Sequence, residues 1–333
     1  MKELIQTLVE TNSPSGYENT VRQLIRQKIQ PLVNEIKVDA LGNLLAIRYN
    51  PNAPKIMLVA HMDEIGIMAT HVDANGFVRF IPLGGVYPYH CIGGRVRFLN
   101  GIAGVIGVEK LSNPQEMPSL EKMFIDVGAA DAKSCPIQVG DVAAFERPFL
   151  DLGKRWVSKA MDDRIGVAVL IESLQRLQQS AFEIYAVFSV QEEVGVRGAT
   201  TASFGIAPDL GIAIDVTATG DTPKGHKMEV ALGKGPAIKI RDAGMLADPR
   251  MIKWMIRTAE EYHLPYQREI LEFGGTDGRA IQLSRSGTPT GVLSIPCRYV
   301  HAPSEMVDRD DVENAVQLLT ELLKNPPDLE FSG

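Results

Sequence analysis

The chain is poor in cysteine and aromatic residues, and it has no long apolar run. Its three cysteines, Cys91, Cys135 and Cys297, are far apart, odd in number and without a Cys-x-x-Cys pair. They therefore suggest neither a disulfide framework nor a structural zinc knuckle, and they read as reduced thiols of a cytoplasmic protein. Aromatics make up 6% of residues and two are Trp, too few to supply platforms for sugar rings. No stretch approaches the ~20 consecutive apolar residues of a membrane helix. Met1-Lys2-Glu3-Leu4-Ile5, soon followed by Glu10, reads as the opening of an amphipathic helix rather than a signal peptide. Positive charge is not in excess: the net charge is −7, with no basic block and no basic stripe interleaved with aromatics. That argues against nucleic-acid partners and anionic membranes. Also missing are a Gly-x-Ser-x-Gly elbow, a His-Glu-x-x-His helix, a P-loop, and a Gly-x-Gly-x-x-Gly turn after a strand.

The remaining composition is that of a soluble globular protein, 45% hydrophobic and 23% charged, and 333 residues allow one to three domains. Apolar positions at helical spacing predict helices over 2–10 and 18–30, separated by the turn Asn12-Ser13-Pro14-Ser15-Gly16. Strand-like runs follow at 36–38, 44–47 and 56–60. From 68 to 152 the texture changes. Short β-rich pieces at 77–81, 95–98, 103–108, 124–127 and 142–145 alternate with Gly, Pro and Asn turns, the pattern of a small all-β barrel or sandwich. Beyond residue 160, helices at 163–178, 248–262, 277–285 and 308–324 alternate with strands at 183–190, 210–215, 266–271 and 289–295. This alternation implies an α/β fold with a mainly parallel, mixed sheet sandwiched by helices on both faces. The expected organisation is a catalytic domain in two segments, 1–67 and 153–333, interrupted by a β-barrel insertion at 68–152.

Ile56-Met57-Leu58-Val59-Ala60 reads as a buried strand, and His61-Met62-Asp63 stands at its end. Two residues apart on a strand, the imidazole and the carboxylate face the same side. The histidine suits a metal ligand and the carboxylate suits its partner. Comparable places occur downstream. Asp162-Asp163 opens the helix at Arg164, where an ordinary N-cap also explains it. Glu192-Glu193 follows the apolar strand 184–190, and a bound cation explains two adjacent, mutually repelling carboxylates better than a solvated loop does. Asp215 follows Leu210-Gly211-Ile212-Ala213-Ile214, and His301 lies just beyond another strand. Strand ends of an open parallel sheet converge on one crevice, so these side chains can meet despite their separation in sequence. Two histidines with several carboxylates and no thiolate suit zinc, cobalt or manganese, and suit a pair of ions sharing one carboxylate. His71-Val72-Asp73 repeats the spacing but runs into the hairpin turn Ala74-Asn75-Gly76. His90, His226 and His263 lack an acidic or strand-end setting and read as surface or structural residues.

Seven stretches carry a family likeness: Pro14-Ser15-Gly16-Tyr17-Glu18, Ala60-His61-Met62-Asp63-Glu64-Ile65-Gly66, Ala160-Met161-Asp162-Asp163-Arg164-Ile165-Gly166, Val190-Gln191-Glu192-Glu193-Val194-Gly195, Ile214-Asp215-Val216-Thr217, Gly274-Gly275-Thr276-Asp277 and His301-Ala302-Pro303-Ser304-Glu305. Through them the chain resembles the dinuclear metallo-aminopeptidases of the glutamyl and deblocking aminopeptidase group, the tetrahedral (TET) aminopeptidases, some of which carry the label endoglucanase. The resemblance implies a zinc-peptidase-like domain with an inserted PDZ-like barrel. It also implies two divalent metal ions per subunit, zinc or cobalt first and manganese as the alternative. Carried over by position, it implies that His61 and Asp215 hold one ion, Glu193 and His301 the other, and Asp162 bridges them. It makes Glu192 the general base, Asp63 the residue that orients His61, and the Asp162–Asp163 peptide cis. Gly275, Thr276 and Asp277 would belong to the substrate pocket, and Gly274-Gly275 would let a substrate backbone approach closely. Peptide substrates and a homo-oligomer, dimers built through the insertion and assembled into a dodecamer, follow from the same likeness. Ala302, where many relatives have serine, and Gly278, where alanine is commoner, bear on specificity rather than on the ligand set.

Other readings use the same residue types. An endoglucanase-type glycoside hydrolase also needs paired carboxylates, but has no need of His61 or His301. A metal-dependent carboxypeptidase or deacylase would share the ions. A non-catalytic interaction protein would have no use for Glu192. The expected function is a cytoplasmic metallo-aminopeptidase that removes N-terminal residues from peptides.

Overall fold

The computed structural model describes residues 1–113 and 115–328. Residues 329–333, with which the expected second catalytic segment ends, lie outside the described residues. Alternate side chains of the strand Lys55–His61 feed two different cores, which is why it reads as an unbroken apolar run. Ile56, Leu58 and Ala60 pack into one, while Met57 and Val59 pack into the other. The strand lies within an eleven-stranded sheet. Glu183–Ser189 and Leu210–Thr217 flank it in parallel, and Thr290–Arg298 continues the parallel set. Pairing turns antiparallel outward, to Leu44–Arg48 and Glu35–Val38 on one side and to Glu305–Asp308, Arg155–Ser158 and Leu150–Asp151 on the other. Ala237–Arg241 also pairs with Thr290–Arg298, antiparallel, and carries Gln267–Ile270 beside it. The sheet is therefore mixed, with the expected parallel pairing concentrated at its centre.

The helix Met161–Arg176 is buried along most of its length, between the central strands and the helices Lys2–Glu10 and Arg309–Leu322. That position explains a segment apolar on nearly every side. On the opposite face, Arg197–Ile206 and Gly278–Gln282 close the second core through Ala199, Ala202 and Ile281. Helix Arg197–Ile206 has no counterpart in the sequence reading. Its Gly-Ala-Thr-Thr-Ala-Ser run has weak helical propensity and little apolar periodicity, so tertiary packing decides it.

Gly66–Val72, Val78–Leu83, Met123–Asp126, Ala103–Val108, Arg95–Phe98 and Val142–Phe145 close, in that order, into an antiparallel barrel. Ile67, Val78, Val96, Ile106, Ile125 and Phe145 are among the side chains that fill it. At its seam a Cβ on Gly66 would lie 2.7 Å from Pro14 Cβ and 2.8 Å from the Ala143 carbonyl oxygen. Glycine thus allows the barrel's first strand to leave the sheet beside the N-terminal turn. In the hairpin after His71, Asp73 accepts the Asn75 and Phe77 N–H groups, so the second His-x-Asp pair shapes a turn. No helix among the described residues is long and apolar enough to cross a membrane.

Candidate active site

Asp162 is the point at which the distant strands meet. It sits at the entry of helix Met161–Arg176 with non-helical backbone angles, and its peptide bond to Asp163 is cis. Its Oδ1 lies 3.0 Å from His61 Nε2 and its Oδ2 lies 3.3 Å from His301 Nε2. His61 Nε2 is also 3.9 Å from Asp215 Oδ1, and His301 Nε2 is 3.3 Å from Glu193 Oε2. Two triads result, His61–Asp162–Asp215 and Asp162–Glu193–His301, each offering ligand atoms within 4.8 Å of one another. Both open on a cleft of about 1170 Å³ that Glu192 also lines.

The local settings differ from strict strand ends. His61 does end its strand, but Asp215 lies inside Leu210–Thr217, which runs two residues further. Strand Glu183–Ser189 stops before Glu192-Glu193: Val190 donates its N–H to the Asn43 side chain, and Gln191 then turns the chain with φ +55°. His301 lies past Thr290–Arg298 on a turn with φ +62°.

Burial disfavours every ionised carboxyl here, and the neighbours decide the outcome. Burial holds Glu192, Glu193 and Asp215 above the usual carboxylate range, with other carboxylates adding repulsion. Asp162 is buried too, yet His301 and His61 pull it below that range. Burial opposes protonation of His301, but Glu193 and Asp162 prevail and push it up to about 12. An excess of buried carboxylate facing two imidazoles is an environment that favours a cation. Glu193 Oε1 is buried with no hydrogen-bond partner in the structure, the orphaned oxygen a ligand position would leave. The donors nearest one another are imidazole nitrogens and carboxylate oxygens, which suit zinc, cobalt or manganese. The residues present thus fit two divalent ions.

Asp63 works on two fronts. It lies 3.4 Å from His61 Nδ1, and its oxygens accept the N–H groups of Glu192 at 3.0 Å and Glu193 at 3.3 Å. Ser15 donates to Asp63 at 2.6 Å, and Glu18 accepts the Gln191 N–H at 3.1 Å. Three successive amides, 191 to 193, are therefore held by buried carboxylates. Glu305 plays a similar part at the other side, with Oε1 accepting the His301 N–H at 2.8 Å and Oε2 the Asp162 N–H at 3.0 Å. Fully buried Arg164 donates to the carbonyls of Leu8, Thr11, Ser13 and Met62, tying the N-terminal segment to the site.

Gly275 and Thr276 line the cleft. Asp277 turns away from it: it is buried and accepts a hydrogen bond from Ser189, and burial raises it to about 6. His90 and His226, read from sequence as surface or structural, line the cleft as well. Ser15, Glu18 and Glu305 stand in the quoted stretches, so they were visible as residues although not as backbone holders. His90 had no signal, because its hydrogen-bond partner is a backbone carbonyl at residue 301.

A model of the M42 glutamyl aminopeptidase family matches residues 42–318. The chain belongs to this family of metal-dependent peptidases and is a hydrolase acting on peptide bonds. It is 45% identical over 325 residues, 97% of this chain and 98% of the relative, to a protein of Acetivibrio thermocellus provisionally described as an aminopeptidase. The solved structure of the aminopeptidase APDkam598 from the archaeon Desulfurococcus kamchatkensis superposes with a TM-score of 0.93 at 39% identity, over 98% of this chain and 94% of that one. The Pyrococcus horikoshii TET1 peptidase, which can assemble into a tetrahedron or a large octahedral shell, gives a TM-score of 0.89 at 30% identity over 98% and 99% of the two chains.

Proposed function

We propose that this protein is a two-metal aminopeptidase, a reading carried by one observation: the two oxygens of Asp162 each face a different imidazole. In this reading His61 and Asp215 would hold one ion, Glu193 and His301 would hold the other, and Asp162 would serve both. When bound, the two divalent cations, zinc or cobalt first and manganese as the alternative, would lower the pKa of a water toward ~7 and polarise the substrate carbonyl.

Glu192 is the proton carrier. It takes a proton from the water that attacks the first peptide carbonyl, then returns it to the leaving nitrogen. Asp63 serves this step indirectly by fixing His61 and the Glu192 backbone together. Gly275 and Thr276 form the substrate wall, and Asp277 braces it from behind. The acidic cleft receives the free α-amine of the substrate, which makes the enzyme an exopeptidase. Glycoside hydrolysis would leave the paired imidazoles without a role.

The inserted barrel, whose strands run from Gly66 to Phe145 rather than from the expected 68 to 152, forms the dimerisation module, and the subunits assemble to a dodecamer in the cytoplasm. Exposed Ile81, Leu99, Val105 and Val139 on the barrel region support an interface there.

A panel of free-amine, N-acylated and C-terminally varied peptides, assayed on zinc- and cobalt-reconstituted protein, tests the activity. Cleavage confined to free N-termini is expected. Equal cleavage of N-acylated peptides would replace the aminopeptidase reading with a deacylase or endopeptidase. Light scattering tests the assembly, with twelve subunits expected and a stable monomer as the contrary result.

A further inference from the structure

The barrel reaches the outer triad through the loop that runs from the strand Val78–Leu83 to the short helix Pro88–Cys91. A Cβ on Gly85 would lie 2.2 Å from His301 Nδ1 and 2.6 Å from its Cε1. On Gly84 it would lie 3.0 Å from both Glu193 Cβ and Glu193 Oε2. The loop backbone thus packs against two side chains of this triad at a distance only glycine permits at Gly85. The Tyr87 ring lies 6.5 Å from the His301 ring. His90 Nδ1 donates to the His301 carbonyl oxygen at 3.1 Å.

His301 has a left-handed backbone, φ +62°, which residues other than glycine adopt infrequently. Its N–H is taken by Glu305 from the sheet and its carbonyl by His90 from the barrel. These two bonds fix the direction in which its imidazole leaves the chain. At the inner triad, by contrast, His61 is oriented by Asp63 at the end of its own strand.

We propose that the barrel loop Gly84–His90 is a positioning element of the outer metal site, with Gly85 and His90 setting the imidazole of His301. The insertion then completes the metal centre as well as joining subunits. This rests on the two-ion reading above and extends it. Loss of a supporting group of this kind lowers metal affinity or activity.

Zinc stoichiometry, measured by plasma mass spectrometry after dialysis of the intact protein against limiting zinc, is the test. Wild type retains two zinc equivalents, whereas Gly85→Ala and His90→Ala retain one. Affinity for the second falls about 10–100-fold in each. His90→Gln restores it, because its side-chain N–H can donate to the same carbonyl, and melting temperature and particle size stay at wild-type values. Should Gly85→Ala not fold, the His90 pair decides. Two zinc equivalents at wild-type affinity in the alanine variants would overturn the proposal. So would loss of both ions together with a lowered melting temperature, which would show a general structural role. A wild type holding fewer than two zinc ions would instead sink the two-ion reading itself, and this proposal with it.

Discussion

The inner and outer triads share Asp162 but are built from different material. His61 and Asp215 lie on strands whose register is fixed by pairing on both sides, and all three residues of that triad are buried. Glu193 and His301 lie on loops, the His301 side chain is partly exposed, their N–H groups are held by carboxylates, and a barrel loop packs against both side chains. A ligand on a sheet inherits its position from the core, whereas a ligand on a turn must be held by specific neighbours. The outer site should therefore be the more labile of the two.

Removing the shared carboxylate erases the contrast. Asp162→Ala should lose both ions and bring peptidase activity to background, read by metal analysis and turnover. Retention of one ion at the inner site would show that Asp162 is not a bridge. Glu192→Gln comes next. It should lower kcat about 10²–10⁴-fold, the usual contribution of an acid–base group, while both ions remain. Full activity in this variant would remove Glu192 from the proton transfer.

Chelation separates the triads directly. Titration with a chelator should release metal in two phases, the first abolished in His301→Ala and the second in His61→Ala. A single phase in wild type would mean that the triads behave alike. A smaller effect is expected from Glu305→Ala, which strands the buried N–H of Asp162 and the partly buried N–H of His301. Each unsatisfied group costs about 1–3 kcal/mol, so the melting temperature should drop and the first chelation phase should shift more than the second. An unchanged melting temperature would mean that other groups replace Glu305.

Much of this was legible in the sequence because the inner elements obey simple rules. An apolar run ending in His61 has one plausible structural meaning, and the barrel announces itself through short strands and frequent turns. The outer elements were harder. Strand Glu305–Asp308 is four residues long and Ala237–Arg241 five, too short for a decisive pattern. The chemistry of Glu192 and Glu193 was visible, but the three amides held by Glu18 and Asp63 were not. Backbone hydrogen bonds between segments over 120 residues apart leave no local pattern. His90 is the clearest case: its setting depends on the carbonyl of His301, which any residue type would present.

The insertion point also has a consequence for the order of folding. Strand Lys55–His61 is synthesised early, yet its parallel neighbours Glu183–Ser189 and Leu210–Thr217 lie beyond the barrel in sequence. The barrel strands, all between Gly66 and Phe145, leave the ribosome before either neighbour does. Contacts between nearby residues form faster than distant ones, and chains acquire structure from the N-terminal side during synthesis. The barrel should thus be the first stable unit, and the sheet should close around an already finished appendage. Pulse-labelled hydrogen exchange during refolding should protect the amides of Val96 and Ile125 before those of Leu58 and Ala213. Simultaneous protection of all four would show that the appendage and the sheet form as one.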